Sequence, residues 1–200
     1  EMPVGSYESV AIAGNAICAI ETSGNVICAF EYSGDIVPPP TSLFSQVSTA
    51  GTASCGVNTS GSIECWGADY ETLAALTPTP SGTFTSVDIA PIWGCALSTT
   101  GNIDCWSDAS PEIYGAISLG VLEPPEGTFT SLSVGLIHAC AIDEDNVAHC
   151  WGDNGTGQLN VPLFTRFESV AASNYRTCGI TTENDVHCWG GSEGPTIIEL

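Results

Sequence analysis

The chain has 200 residues, 43% of them hydrophobic, which is enough to pack one domain or two small ones. Its 23 acidic residues stand against two arginines, Arg166 and Arg176, and no lysine, for a net charge of -21. A surface of that sign repels phosphate backbones and anionic bilayers, so nucleic acid is excluded and neutral or cationic partners remain: glycans, basic proteins or divalent cations. No run approaches the roughly 18 apolar residues of a spanning helix, and no membrane insertion is expected.

Along the chain the ten cysteines fall in five pairs: Cys18/Cys28, Cys55/Cys65, Cys95/Cys105, Cys140/Cys150 and Cys178/Cys188. Every pair encloses nine residues. Eleven residues before each first cysteine stand Tyr7, Phe44, Phe84, Phe129 and Phe167, and eight before stand Val10, Val47, Val87, Leu132 and Val170. The chain therefore reads as one domain, residues 1–200, of five tandem repeats starting near 7, 44, 84, 129 and 167. Residues 1–6 and 195–200 read as linker ends in phase with each other, since Glu1–Val10 aligns with Glu123–Leu132.

Each repeat opens on an alternating segment such as 84–90, which predicts a strand. The segment between the cysteines predicts a hairpin. Its sixth residue after the first cysteine is Gly24, Gly61, Gly101, Asn146 or Asn184, the residue types that enter the left-handed region most cheaply. A turn with a bulge is expected there. The hairpin puts each cysteine opposite its partner, at a Cα separation of about 4.5 Å for a non-hydrogen-bonded pair. Structural zinc wants a closer cysteine spacing that no pair here has, so five disulfides are expected, each worth roughly 2–3 kcal/mol. Such bonds place the protein in an oxidising compartment: secreted or at a cell surface, extracellular or periplasmic.

Trp66, Trp106, Trp151 and Trp189 follow the second cysteine in four repeats, while the first repeat has Ala29. Recurrence at one position favours packing between repeats over sugar stacking. Trp93 stands near positions filled elsewhere by Ser54, Ala139 and Thr177, outside that set, and is expected to be exposed and available for binding. The connector 107–128 is the longest. Its apolar run, with Ile113, Tyr114, Leu119 and Leu122, is expected either to add a strand or to form a contact patch.

The segments Phe129-Thr-Ser-Leu-Ser-Val-Gly-Leu-Ile-His-Ala-Cys-Ala-Ile and Cys150-Trp-Gly-Asp-Asn-Gly-Thr-Gly-Gln-Leu, with Pro162 beyond, resemble a repeat of the regulator of chromosome condensation superfamily, in its short bacterial form. The resemblance spans nearly the whole chain and is weakest in the first repeat. It implies an all-β fold: a β-propeller-like array of five antiparallel hairpin repeats, each pinned by one disulfide. That family usually closes seven blades. Five repeats with in-phase ends leave three arrangements open: a closed ring, a part of a longer array, or subunits joined tail to head.

Three histidines occur, and His149 and His187 each precede a second cysteine. No nucleophile elbow, phosphate loop or zinc-protease motif is present, and no enzymatic activity is expected. The acidic stretch Asp143–Asn146 is suited to calcium but lacks the spacing of a calcium loop, so no cofactor is assigned. Asn58 and Asn154 lie in N-glycosylation sequons, and Thr77 and Thr79 in a Ser/Thr/Pro-rich stretch suited to O-glycans. The sequence thus points to a non-enzymatic extracellular module that binds a protein or glycan or assembles with itself. A glycosylated filament subunit and an inhibitor of a secreted enzyme are the alternatives.

Overall fold

Each repeat folds into the same three antiparallel strands, and the reason lies in its hairpin turn. In the computed structural model, which describes residues 5–14, 16–30, 38–67, 70–108, 119–192 and 196–198, Gly24, Gly61, Gly101, Asn146 and Asn184 all have positive φ, between 62° and 86°. This left-handed residue closes a tight turn. Its N–H returns to the residue three before it, as Gly61 does to Asn58 and Asn146 to Asp143. The strands on either side are then forced into register.

The first sheet consists of β1 (Tyr7–Ala13), β2 (Ala16–Glu21) and β3 (Val26–Phe30), with β2 central. The next two are β4 (Phe44–Ala50), β5 (Ala53–Asn58) and β6 (Ile63–Gly67), then β7 (Phe84–Ile89), β8 (Gly94–Ser98) and β9 (Ile103–Trp106). A short helix, α1 (Tyr70–Ala75), separates these two. The fourth sheet holds β10 (Phe129–Val134), β11 (His138–Asp143) and β12 (Ala148–Gly152). The last holds β13 (Phe167–Ala172), β14 (Arg176–Thr181) and β15 (Val186–Gly190), and adds β16 (Thr196–Ile198) at its edge. Residues 196–198, read from sequence as part of a linker end, thus pair with β15, Thr196 opposite Cys188 and Ile198 opposite Val186.

The hairpins seat the cysteines directly opposite one another, as Cys18↔Cys28, Cys55↔Cys65, Cys140↔Cys150 and Cys178↔Cys188. These four pairs are disulfides with Cα separations of 4.0–4.1 Å, a little closer than the spacing expected from sequence. Cys95 and Cys105 are disulfide-bonded as well. The two ends of a bridge are not equivalent, although the sequence treats them alike. Cys18, Cys55, Cys95 and Cys140 lie on the central strand and are fully buried, whereas their partners Cys28, Cys65, Cys105 and Cys150 lie on the outer strand and are half-buried. Cys65, for example, packs only along the margin of the cluster that encloses Cys55. The last repeat reverses the order, with Cys188 buried and Cys178 half-buried.

The expected bulge is present at the turn, where Gly24 N–H donates to the Glu21 carbonyl and Glu21 N–H to that of Asn25, with Gly61, Asn146 and Asn184 in the same arrangement. A second bulge, not expected from sequence, falls at the start of the first strand, between Tyr7 and Ser9, Phe44 and Gln46, Phe84 and Ser86, Phe129 and Ser131, and Phe167 and Ser169. The extra residue turns the opening aromatic inward, and Phe44, Phe84, Phe129 and Phe167 are all buried.

The chain divides into two compact units, residues 1–99 with 106–109, and residues 100–105 with 110–200. In the first unit the disulfide face of one sheet packs against the opening strand and tryptophan of the next. Cys18, Ile20, Phe44, Val47 and Trp66 form one cluster, and Val57, Ile63, Leu76, Phe84 and Val87 belong to another. In the second unit Ile142, Ala148, Phe167 and Trp189 repeat the pattern. A backbone hydrogen bond accompanies each step. The N–H of Phe44, Phe84, Phe129 and Phe167 donates to the carbonyl of Gly24, Gly61, Gly101 and Asn146, at 2.8–2.9 Å. The left-handed residue therefore closes its own hairpin and also anchors the start of the next repeat.

Candidate functional site

The sequence-derived candidates separate sharply by burial. Trp93 is fully buried, which corrects the expectation that it is exposed. Its alignment with Ser54, Ala139 and Thr177 is one residue out, because Gly94 directly precedes Cys95. Trp93 instead corresponds to Ala16, Ala53, His138 and Arg176, and the first three of these are completely buried. Ile113 and Tyr114 lie outside the described residues. Leu119 is exposed and Leu122 half-buried, but Val121 between them is buried and its carbonyl receives the indole N–H of Trp151 at 3.0 Å. Residues 119–122 form a turn over that tryptophan. Trp106 donates likewise to Leu76 at 3.0 Å, and Trp189 to Gln158 at 2.9 Å. The repeated tryptophans are packing residues; the N–H groups of Trp106, Trp151 and Trp189 hold down linkers, while that of Trp66 points at Cys28 Sγ, 3.2 Å away.

The histidines are also accounted for. His138 is fully buried, with Nε2 2.8 Å from the Thr177 hydroxyl, which in turn donates to the Gln158 carbonyl. That leaves the Thr177 oxygen to accept from His138 Nε2–H. Burial pulls the His138 pKa down to about 4, against a smaller upward pull from the Asp153 charge. His149 Nε2 lies 2.7 Å from Asp143 Oδ2. The other Asp143 oxygen accepts the N–H groups of Asp145 and Val147, both at 2.9 Å. Desolvation raises the Asp143 pKa, but the His149 bond and these two N–H groups outweigh it and hold the carboxyl below its ordinary value. The pair is a turn clamp, and Asn58 and Glu64 occupy the same two positions in the second repeat, 2.7 Å apart. Among the described residues no three His, Cys, Asp or Glu side chains group as metal ligands.

The glycosylation candidates differ in the same way. Asn58 is half-buried and its carbonyl oxygen accepts from Ser60 and Ser62, while Asn154 is exposed. Thr77 Oγ1 donates to the Leu73 carbonyl and Thr79 Oγ1 to that of Ile63.

Three open clefts of differing chemistry lie where a hairpin turn meets the segment leading into a first strand. In the first unit a cleft of about 640 Å³ is lined by hydroxyl residues, Ser45, Thr59, Ser60, Thr83, Thr85 and Thr99, around Phe84. In the second unit Glu126, Asp143, Glu144, Asp145 and His149 line one of about 230 Å³. The last repeat has a third, about 160 Å³, lined by Phe164, Arg166, Thr181, Glu183, Asp185 and His187. Beside it lies a feature that sequence reading missed. Leu163 is 83% exposed and Phe164 fully exposed, and Phe164 has φ 63°. A bulky residue in the left-handed region is a costly exception. The signal was available three residues before each repeat start, where Val4, Thr41, Ser81 and Glu126 precede Phe164. In that set Phe164 is the aromatic.

No curated protein matches the chain by sequence. Solved structures match it by fold. The ectodomain of the Physcomitrella patens receptor kinase CR4 superposes with a TM-score of 0.74 at 21% identity, over 92% of this chain and 50% of that one. The CRINKLY WD40 ectodomain of the Arabidopsis thaliana receptor kinase ACR4 gives 0.73 at 24% identity, over 94% and 70%. Saccharomyces cerevisiae Prp20p gives 0.74 at 15%, over 97% and 63%. The chain thus spans half to about seven-tenths of these neighbours. The family model for the regulator of chromosome condensation (RCC1) repeat matches residues 129–158 and 167–193, within an all-β fold of hairpin repeats shared with these RCC1-like propeller neighbours.

Proposed function

We propose that the chain is a non-enzymatic recognition module, secreted or at a cell surface, that binds a protein partner through the turn end of its last repeat. The observation that carries this reading is Leu163–Phe164. Two large apolar side chains stand in water, and one of them is held at a backbone angle that folding alone disfavours. Aromatic and arginine side chains dominate the binding energy of protein interfaces, and Arg166 lines the adjoining cleft with Phe164. Disulfide bonds support the compartment, and receptor-kinase ectodomains share the fold. A protein partner is favoured over a glycan because the exposed pair offers apolar contact rather than converging hydrogen-bond donors. Prp20p, a neighbour in fold, is described with binding to Gsp1p and histones, which fits a protein-binding use of this scaffold.

The test is a panel of purified secreted and cell-surface ectodomains, probed with the wild-type chain, F164A and R166A. The expected result is at least one interaction that weakens at least about tenfold in F164A, with an unchanged circular dichroism spectrum. Equal binding by F164A and wild type would place the contact elsewhere.

A further inference from the structure

The exposure of Phe164 does not come from its place in the last repeat. Thr41, Ser81 and Glu126, at the same position three residues before a repeat start, are exposed as well, although further repeats follow each of them. The position belongs to the turn end of its sheet, which neighbouring repeats leave open. What sets Phe164 apart, beyond its own side chain, is the charge around it.

The segment 164–167 runs between two hairpin turns of the second unit. Phe167 N–H donates to the Asn146 carbonyl in the turn of the fourth repeat, at 2.8 Å. The Arg166 carbonyl accepts from Thr182 N–H in the turn of the fifth, at 3.0 Å. Both turns are acidic. The two residues before the left-handed one are Glu144 and Asp145 in the fourth repeat, Thr182 and Glu183 in the fifth. In the first three repeats the same two positions hold Thr22 and Ser23, Thr59 and Ser60, Thr99 and Thr100, all hydroxyl residues. The clefts at the two acidic turns add Glu126, Asp143 and Asp185, with Arg166 among them. Asp143 is committed to its own turn and to His149. Glu144, Asp145 and Glu183 are exposed. Arg166 offsets one charge of the set and leaves the remainder negative.

Resting on the assignment of recognition to Leu163–Phe164, we infer that the partner is a basic protein. Its contact surface holds an apolar socket for Phe164, with lysine or arginine side chains on the rim facing Glu144, Asp145 and Glu183. Charge complementarity carries the choice. A socket rimmed by acidic groups would press like charges together as it closed, and a neutral rim would leave the carboxylates without compensation for the water they lose. A basic rim meets them, and several carboxylates of one sign around one contact draw a cationic surface in from solution. The two parts of the site then have separate kinetic duties. The acidic turns speed encounter, and Phe164, once seated, slows release.

Surface plasmon resonance on a panel of secreted ectodomains, chosen half with positive and half with negative net charge, tests this at about 50 and about 500 mM salt. Binding is expected from the positive half. Its association rate should fall at least about tenfold at the higher salt. The variant E144Q/D145N/E183Q should lose at least about tenfold in association rate at low salt and most of the salt dependence. A control with the same change in net charge, E8Q/D104N/D108N, should stay within about twofold of the wild type. F164A should instead dissociate at least about tenfold faster. All of these positions except Phe164 are acidic and exposed, so the circular dichroism spectrum should not change. Binding that F164A weakens but that salt and E144Q/D145N/E183Q leave alone, or that both triple variants slow equally, overturns the basic partner and leaves the recognition site standing. Binding indifferent to F164A, or no binding from either half, overturns the site and the inference together.

Discussion

At the scale of single residues, three side chains carry most of the account. Phe164 sits at φ 63°, where glycine has no steric penalty. F164G should therefore raise stability by about 1 kcal/mol in urea denaturation while weakening partner binding, the trade expected when a strained residue is kept for contact. His138 makes the chain acid-sensitive in a defined window. Its pKa lies near 4 in the fold against 6.5 in the unfolded chain. Between those values the unfolded chain takes up a proton that the native one refuses, so stability falls as pH is lowered from about 6.5 to about 4, by about 3 kcal/mol in total. Above that window the ring is neutral in both states and contributes no pH dependence. Comparing H138Q with the wild type at pH 7 and pH 4 should show their stability difference shrinking by that amount. Asp143, held low by His149 and two backbone N–H groups, adds a loss at more acid pH, as its folded carboxyl takes up a proton.

At the scale of the repeat element, the left-handed turn residue has two functions, closing the hairpin and receiving the next repeat's first N–H. N146A should cost about 1–2 kcal/mol, whereas N146G should be nearly neutral, as measured by thermal denaturation. The hairpins, their turn residues and the cysteine pairing were legible in sequence because each imposes a residue type: Gly or Asn for positive φ, Cys for the bridge. The unequal burial of Cys55 and Cys65 was not, because both ends of a bridge are the same residue and only the strand's place in the sheet tells them apart. The bulge at the turn was legible from its Gly or Asn, whereas the one at the start of the first strand was not, because it is a feature of backbone pairing and selects no side chain. Trp93 was misread for a related reason. Its position holds Ala16, Ala53, His138 and Arg176 elsewhere, the first three buried and Arg176 half-buried, and no shared chemistry marks the position as interior. Leu163–Phe164 escaped notice because exposure depends on the path of the linker, although comparison of that one position across repeats would have singled it out.

At the scale of the whole molecule, repeats of one architecture carry turn-end clefts of different lining, hydroxyl-rich, acidic and Phe164-flanked. Partner recognition is assigned to the exposed pair Leu163–Phe164. The strong negative charge disfavours nucleic acid and favours partners with basic or neutral contact surfaces. The most direct measurement is the binding of wild type and F164G, side by side, to one immobilised panel of secreted and cell-surface ectodomains. A wild-type interaction that drops at least about tenfold in the more stable F164G chain is the predicted result. Indistinguishable profiles, or a wild type that binds nothing in the panel, would contradict the assignment of this end of the molecule to recognition.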